Sequence, residues 1–479
     1  MAAMTGKWWT LVGACFGLFL LMLDSTVVSL ALPAIRGDVD ASAEQLQWMM
    51  NSYLLTISVL VVTAGRLGDM FGRRRLFLIG MLVFGLGSVL SGSAGDPDML
   101  IAGRVLQGAG AAPVLALSLA LVCNVFPEAE VPKALGIWAG VSASALAVGP
   151  LVGGVLVEVD WRVIFLLNLP VVAIGMLIVA RAAPESTDPG ASHKVDWSGL
   201  AALSVGLTLV VLALVQSEAW STPLVVALAL VGLVSLAVFW LVEHRVRAPI
   251  VEFDLFRNGP YFGASAAAFC LVGAYWAVIY FQPQYLQDVR GHSPLVCGIE
   301  VLPITVPMVL ISPFSGRLIA KFGPRALMTF GMAVGTAGLI VLTQIGSDTP
   351  YGVLLVGYLL FGISLGLVYA PMSTAAMAAM PGEKVGIASG VLSMLRVLAG
   401  AVALAGTGAI FHALVGSGHS FAGSLAGSTW LPVGLTAVGA VLTWGFVRGP
   451  EEEGPDPAVA GRPAPAQLHH HAHHRRFHL

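Results

Sequence analysis

Apolar residues in this chain gather in long runs rather than alternating with polar ones, and short glycine-, proline- and charge-bearing segments separate the runs. A membrane-spanning helix needs about 20 mostly apolar residues. The runs place helices at 8–32, 45–64, 76–95, 98–123, 133–157 and 161–182, then a pair at 199–217 and 223–243. Six more follow at 259–282, 294–315, 325–345, 351–372, 385–413 and 430–448, which makes fourteen. The runs are too long and continuous for the alternating strands of a membrane barrel. The expected fold class is an all-α integral membrane protein.

The polar segments test that count. With both termini in the cytoplasm, 19 of the 24 Lys and Arg fall in cytoplasmic segments. Only Arg36, Arg162 and Arg290 fall outside, and Arg104 and Arg396 lie within spans. Such a bias toward the cytoplasm is what sets membrane orientation. It places Gly190 and Gly454 inside and Gly346 outside.

One polar segment occurs twice. Gly65–Leu76 reads Gly-Arg-Leu-Gly-Asp-Met-Phe-Gly-Arg-Arg-Arg-Leu, and Gly316–Leu327 reads Gly-Arg-Leu-Ile-Ala-Lys-Phe-Gly-Pro-Arg-Ala-Leu. Seven of the twelve positions agree in register at an offset of 251 residues. A loop repeated between hydrophobic runs indicates a duplicated membrane protein. Two six-helix halves of this compactness would repeat about every 200 residues on helix lengths alone, so about 50 residues are left for the inserted pair. The expected organisation is an N-terminal half (8–182), an inserted pair with its linkers (183–258), a C-terminal half (259–448) and a cytoplasmic tail (449–479).

Composition supports this reading and removes other classes. The 479-residue chain is 57% hydrophobic and 10% charged, with mean hydropathy +0.87, whereas soluble domains are near 25% charged. A net charge of −2 with no basic arm gives no reason to expect nucleic acid. Cys15, Cys123, Cys270 and Cys297 sit in or beside apolar runs and read as small core residues. No Gly-x-x-x-x-Gly-Lys-Ser/Thr segment occurs, so no ATP engine of that type is expected. Lys7 and the run after it resemble a signal peptide, but Asp24 interrupts the run and no small-x-small site follows before Pro33, so an uncleaved first span is expected. The tail carries His469, His470, His471, His473, His474 and His478. These could bind a metal, though a solvated tail or tag remnant is the simpler reading.

Charged residues inside the spans are the candidate chemistry, because burying them in a membrane is costly. Asp24 lies nine residues from the outer end of the first predicted helix, about 13 Å deep, and Arg104 about 9 Å deep in the fourth. A carboxylate at that depth is costly to ionise, so Asp24 is the candidate to take up and release a proton and to attract a cation. Arginine stays charged and can only tune such a group. Glu300, six residues inside the tenth span, reads equally as a second proton or cation site or as a packing residue. Arg396 could neutralise a partner across the interface between halves.

Several segments resemble the major facilitator superfamily and, within it, the fourteen-helix drug:proton antiporters. Gly65-x-Leu67-x-Asp69-x-x-Gly72-Arg73-Arg74 is similar to the family's loop 2–3 signature, with Met70 where a basic residue is common. Leu23-Asp24-Ser25-Thr26-Val27-Val28 with Ala31-Leu32-Pro33 resembles the first-helix motif, and Arg104-x-x-Gln107-Gly108-x-Gly110 the fourth-helix motif. Gly149-Pro150-x-x-Gly153-Gly154 resembles the fifth-helix antiporter motif, with Ala145 where glycine is commoner. Trp161-Arg162-x-x-Phe165-x-x-Asn168-x-Pro170 fits the same branch.

The resemblance implies two six-helix halves rocking about a central cavity lined by helices 1 and 4. It implies a cytoplasmic latch at Gly65, Asp69, Gly72, Arg73 and Arg74, with Asp69 meeting the start of helix 13. The expected function is proton-driven export of a lipophilic compound, cations included, from the plasma membrane. No enzyme activity and no cofactor beyond the proton gradient are expected, and the partners are the substrate, protons and lipid, with the monomer as the working unit. Export of an endogenous metabolite or lipid is the alternative. A many-span enzyme or sensor is disfavoured because the chain lacks a soluble catalytic or receptor domain.

Overall fold

The structure is a computed structural model that describes residues 2–127, 130–187, 196–217, 219–246, 249–381 and 384–447. Gly190, Gly454 and the histidine-rich tail lie outside the described residues. The N-terminal half contains α1 (Ala2–Val39), α2 (Ala43–Phe71), α3 (Arg73–Gly92), α4 (Pro97–Val125) and α5 (Val131–Val159). Its sixth crossing is the short α6 (Val163–Leu166) continued by α7 (Asn168–Ala182). Two helices follow, α8 (Trp197–Val215) and α9 (Thr222–Glu243). The C-terminal half contains α10 (Gly259–Gln284), α11 (Pro294–Glu300), α12 (Leu302–Ile311), α13 (Ser315–Leu342), α14 (Tyr351–Ala378), α15 (Val385–Gly416), α16 (Phe421–Ser428) and α17 (Trp430–Phe446).

Thirteen of these stretches are long and apolar enough to cross a membrane, against fourteen expected. The difference is one stretch, Leu302–Leu342, of 41 residues. At 1.5 Å per residue it would measure about 60 Å, twice the hydrocarbon core. Gly323 breaks it, with φ 75° and ψ 156° inside the helical run. The stretch therefore makes two crossings, which restores fourteen.

That break explains the sequence repeat. Gly72, the repeat partner of Gly323, also has positive φ, at 110°. Each half reverses its chain at the same glycine, in a conformation that L side chains avoid. The following arginines are placed alike. Arg74 donates to the Ala180 carbonyl at the end of the sixth crossing, and the Arg325 guanidinium lies 4.5 Å from the Trp444 ring on the last.

The inserted helices pack mainly on each other, and α8 also touches α2 and α15, one from each half. Much of α9 is exposed, including Leu230, Val231, Leu233 and Val234, as suits a lipid-facing helix. Polar contacts joining the halves gather at the outer face. Arg36 pairs with Asp288 at 2.9 Å, Gln287 donates to the Leu30 carbonyl at 3.0 Å, and Ser293 donates to Glu158 at 2.7 Å. Toward the cytoplasm the halves part: side chains added at Gly140 of α5, or at Gly386 and Gly390 of α15, would meet nothing within 4 Å. α4 and α14 each pack within their own half. The halves thus meet at the face bearing the α1–α2 turn and part toward the face bearing the Gly72 and Gly323 turns.

This topology predicts a labelling pattern. Ser221→Cys and Asp348→Cys, in a Cys123→Ser background, react with an impermeant thiol reagent on intact cells. Arg257→Cys reacts only after permeabilisation. Failure of position 221 to react on intact cells, with position 348 reacting, would remove the inserted pair from the membrane.

Candidate functional site

The N-terminal half is organised around a buried ion pair. Asp24 and Arg104 are 3% and 0% exposed, and Arg104 Nη1 lies 2.5 Å from Asp24 Oδ2. The other carboxylate oxygen, Oδ1, accepts from Gln107 Nε2 at 3.1 Å and from Asn168 Nδ2 at 3.0 Å. Both amides also donate to Ser88 Oγ, at 2.9 and 3.1 Å. Arg104 is held further by the Met49 carbonyl at 3.0 Å, by Gln107 Oε1 at 2.9 Å and by the Tyr53 ring face at 4.1 Å. One nitrogen, Nη2, is buried without a partner among the described residues. The network ties α1, α2, α3, α4 and α7 together.

Local sequence makes this possible. Arg104 and Gln107 are three residues apart and share a helix face. Gly103, Gly108 and Gly110 let α4 approach its neighbours: a side-chain carbon at Gly110 would strike the Phe84 backbone, and one at Gly108 would come within 2.9 Å of the Tyr53 carbonyl. Close backbones of this kind need small residues.

The structure changes the expected role of Asp24. Its helix runs on to Val39, so the residue is 15 positions from the outer end rather than nine. It stays level with Arg104 because α1 extends past the start of α4. All its partners belong to its own half, and each of its oxygens accepts at least one hydrogen bond. Asp24 thus lies in the interior of the N-terminal half in this conformation, where a substrate between the halves cannot reach it.

The remaining candidates lie apart from this network. Glu300 ends the short α11, with its carboxylate 2.7 Å from His292 Nδ1 and its carbonyl accepting from Tyr351 at 2.9 Å. It belongs to the outer region and is not joined to Asp24. Among the described residues Arg396 has no partner from the other half: its guanidinium donates to Ser373 and stacks 5.0 Å from Tyr369, both on α14. The cross-interface pairing expected for Arg396 is therefore replaced by contacts within its own half.

At the cytoplasmic knot, Asp69 pairs with Arg73 at 2.7 Å. The start of α15 is occupied instead by Lys384, which pairs with Glu252 at 2.9 Å; that hydrogen bond pushes the Lys384 ammonium above its ordinary range. The expected contact between Asp69 and that helix start is not made here, because the halves are parted on this side. Gly65 faces only Ala116, at 3.7 Å. Glu185, which sequence reasoning did not single out, holds the knot from the far side. Its carboxylate accepts from the Arg74 and Arg75 backbone N–H groups at 3.0 and 3.1 Å. A carboxylate suits exposed donors at a helix start. A side chain at Gly72 would strike that carboxylate.

The antiporter-like segment serves two interfaces. Gly149 and Gly153 face α1, where added carbons would strike Thr26 and come within 3.1 Å of Val27 Cα. Gly154 faces the other half, where an added carbon would be 2.7 Å from the Pro294 carbonyl, and the Pro150 carbonyl abuts Gly298 of α11. This backbone-on-backbone seam closes the outer face beside Glu158 and Ser293.

A sequence profile of the Major Facilitator Superfamily matches residues 14–404. The chain belongs to the major facilitator superfamily. It is 34% identical over 408 residues to the multidrug resistance protein Stp of Mycobacterium tuberculosis, covering 84% of this chain and 76% of that one. It is 33% identical over 461 residues to the puromycin resistance protein pur8 of Streptomyces alboniger, covering 91% of each. The tetracenomycin C resistance and export protein of Streptomyces glaucescens is 32% identical, over 85% of this chain and 77% of that one. Among solved structures, the POT family transporter PepTSo aligns with TM-score 0.69 at 14% identity, over 92% of this chain and 98% of that one. The bacterial homolog of the human lysosomal transporter Spinster, in an inward-facing and unoccupied conformation, aligns with TM-score 0.65 at 15% identity, over 92% and 97%. These two likenesses concern the fold.

The two-sided burial of the ion pair in this superfamily member predicts strong coupling. Removing one partner strands a buried charge and costs about 3–5 kcal/mol, whereas removing both costs far less. Asp24→Asn and Arg104→Gln should each lower the melting temperature of the detergent-solubilised protein, and the double variant should recover more than half of the loss. Additive losses would show that the pair is not energetically coupled.

Proposed function

We propose that this protein is a proton-coupled exporter of lipophilic antibiotics or other drugs, working by alternating access from the cell membrane. The observation that carries the proposal is the buried Asp24–Arg104 pair, within a fold parted on the cytoplasmic side and closed outside. Similarity to resistance proteins over most of the chain supports drug export. The energy source follows from the pair's physics. Protonating Asp24 would leave the fixed charge of Arg104 buried opposite a neutral acid, which is costly. Arg104 would then have to find other partners, and it can do so only if α1 and α4 shift. Proton uptake thereby becomes work on helix packing. α1 and α5 share the Gly149 and Gly153 contacts, and α5 carries the Gly154 seam, so a shift in α1 reaches the outer closure directly.

The knot at Asp69 and Arg73 fits a latch that is released in this conformation and engages α15 when the cytoplasmic side closes. Both termini are assigned to the cytoplasm on the charge bias, and the working unit is taken to be one chain. Apart from the O–H bond formed and broken at Asp24, this scheme leaves every covalent bond intact.

The test is transport in proteoliposomes holding the purified full chain. With the lumen acidic, representing the outside, at least one of a panel of acidic and neutral lipophilic antibiotics should accumulate inside the vesicles and not inside protein-free ones. Accumulation should collapse at least tenfold when a proton–cation exchanging ionophore removes the gradient. Uptake indifferent to the gradient would overturn proton coupling.

A further inference from the structure

Two arginines lie deep within the spans, and the structure furnishes them unequally. Arg104 has a carboxylate, an amide oxygen, a carbonyl and a tyrosine ring. Arg396, on the other half, has the Tyr369 ring 5.0 Å away and the Ser373 hydroxyl, but among the described residues no carboxylate pairs with it. Its Nε is buried without a partner. Eleven positions into α15, it lies about 16 Å from the cytoplasmic start of that helix, near the middle of the membrane.

An arginine at that depth stays charged. A charge there faces a bundle interior or a watery cavity, and buried charges are normally paired. A ring face and one hydroxyl stabilise a guanidinium far less than a carboxylate does. Arg396 is partly accessible, as are Tyr369, Ser373, Ser389 and Ser393 on the same two helices. α14, which carries Tyr369 and Ser373, packs within its own half, and the cytoplasmic end of α15 opens at Gly386 and Gly390. The missing anion therefore has a route in from the cytoplasm.

We propose that Arg396, with Tyr369 and Ser373, is the substrate anchor, and that it takes the acidic group of the exported molecule: a carboxylate or an ionised phenol on an apolar aromatic body. The guanidinium fork pairs with the acid, Ser373 remains its second contact, and the Tyr369 ring stacks on both the guanidinium and the aromatic body. This inference rests on the export reading for its biological sense, but the binding chemistry stands without it. It departs from the expectation that cations are among the substrates, which called for a free carboxylate that Asp24 does not offer in this conformation.

The probes are pyrenebutyrate, its methyl ester and 4-(1-pyrenyl)butylamine, which share one apolar body and differ in charge. Binding is measured by fluorescence on the full chain in neutral-lipid nanodiscs, with empty nanodiscs as the blank. Wild type is expected to bind the carboxylate at least tenfold tighter than the ester, and the ester no weaker than the amine. Arg396→Gln should abolish the preference for the carboxylate while leaving ester affinity within about threefold. Arg396→Lys should keep part of that preference, because the charge remains while the fork is lost. A wild type that binds all three alike, or favours the amine, overturns the anchor, as does an Arg396→Gln protein that keeps the carboxylate preference. If a variant fails to fold, Tyr369→Leu and Ser373→Ala provide the reading: each should lower carboxylate affinity several-fold, and no change in either overturns the proposal. Gradient-driven transport of pyrenebutyrate in proteoliposomes is scored separately. Binding at Arg396 without transport would retire the export reading and keep the anchor.

Discussion

A fixed positive charge in the middle of a helical bundle must have an anion beside it, and much of the N-terminal half follows from that constraint. Arg104 cannot discharge itself, and its side chain is fully buried. Five helices converge to satisfy it and its partner Asp24. Gln107 and Asn168 orient the carboxylate, Ser88 receives both amides, and Met49 and Tyr53 complete the shell around the guanidinium. Low local dielectric makes such a network strong when complete and costly when broken. In the proposed scheme a proton arriving at Asp24 would break it at one defined point.

The rest of the architecture gives that disturbance somewhere to go. α1 carries Asp24 and, within the same turn, the Thr26 and Val27 positions against which Gly149 and Gly153 of α5 are packed. α5 presents Gly154 and Pro150 to α11 of the other half. The contacts between α5 and α11 are backbone to backbone, so they cannot give way by a side-chain rotation. They hold or they part. The two reversing glycines, Gly72 and Gly323, keep the cytoplasmic turns of the halves equivalent, and Glu185 fixes the first of those turns to the start of the linker.

Much of this was legible in the sequence, and the reasons are physical. A span must be apolar over a fixed length, so fourteen crossings could be placed from the runs alone. The repeat marked Gly72 and Gly323 because both halves reverse at the same strained backbone. Asp24 and Arg104 were recognisable because charges are rare at that depth, and Gln107 and Asn168 lay in quoted motifs without their role being assigned. Depth along a helix, however, does not give its azimuth. Hence Asp24 was expected at the cavity and sits inside one half, and Arg396 was expected to reach across and stays within its own half. Glu185 was invisible for another reason: it caps a helix 111 positions away, and nothing local to it signals that contact. Asp69 meets Arg73 rather than α15 because a sequence carries no mark of which conformational state is populated.

The central claim is that the Asp24–Arg104 pair converts a proton into helix movement. The most direct measurement compares wild type and Asp24→Asn in proteoliposomes of matched protein content, scoring uphill uptake on a pH gradient alongside downhill exchange of the same substrate at uniform pH. The account predicts that Asp24→Asn loses uphill uptake by at least tenfold while keeping downhill exchange within about threefold, since asparagine cannot carry the proton but leaves the substrate route intact. Uphill uptake at the wild-type level in a folded Asp24→Asn protein would contradict it.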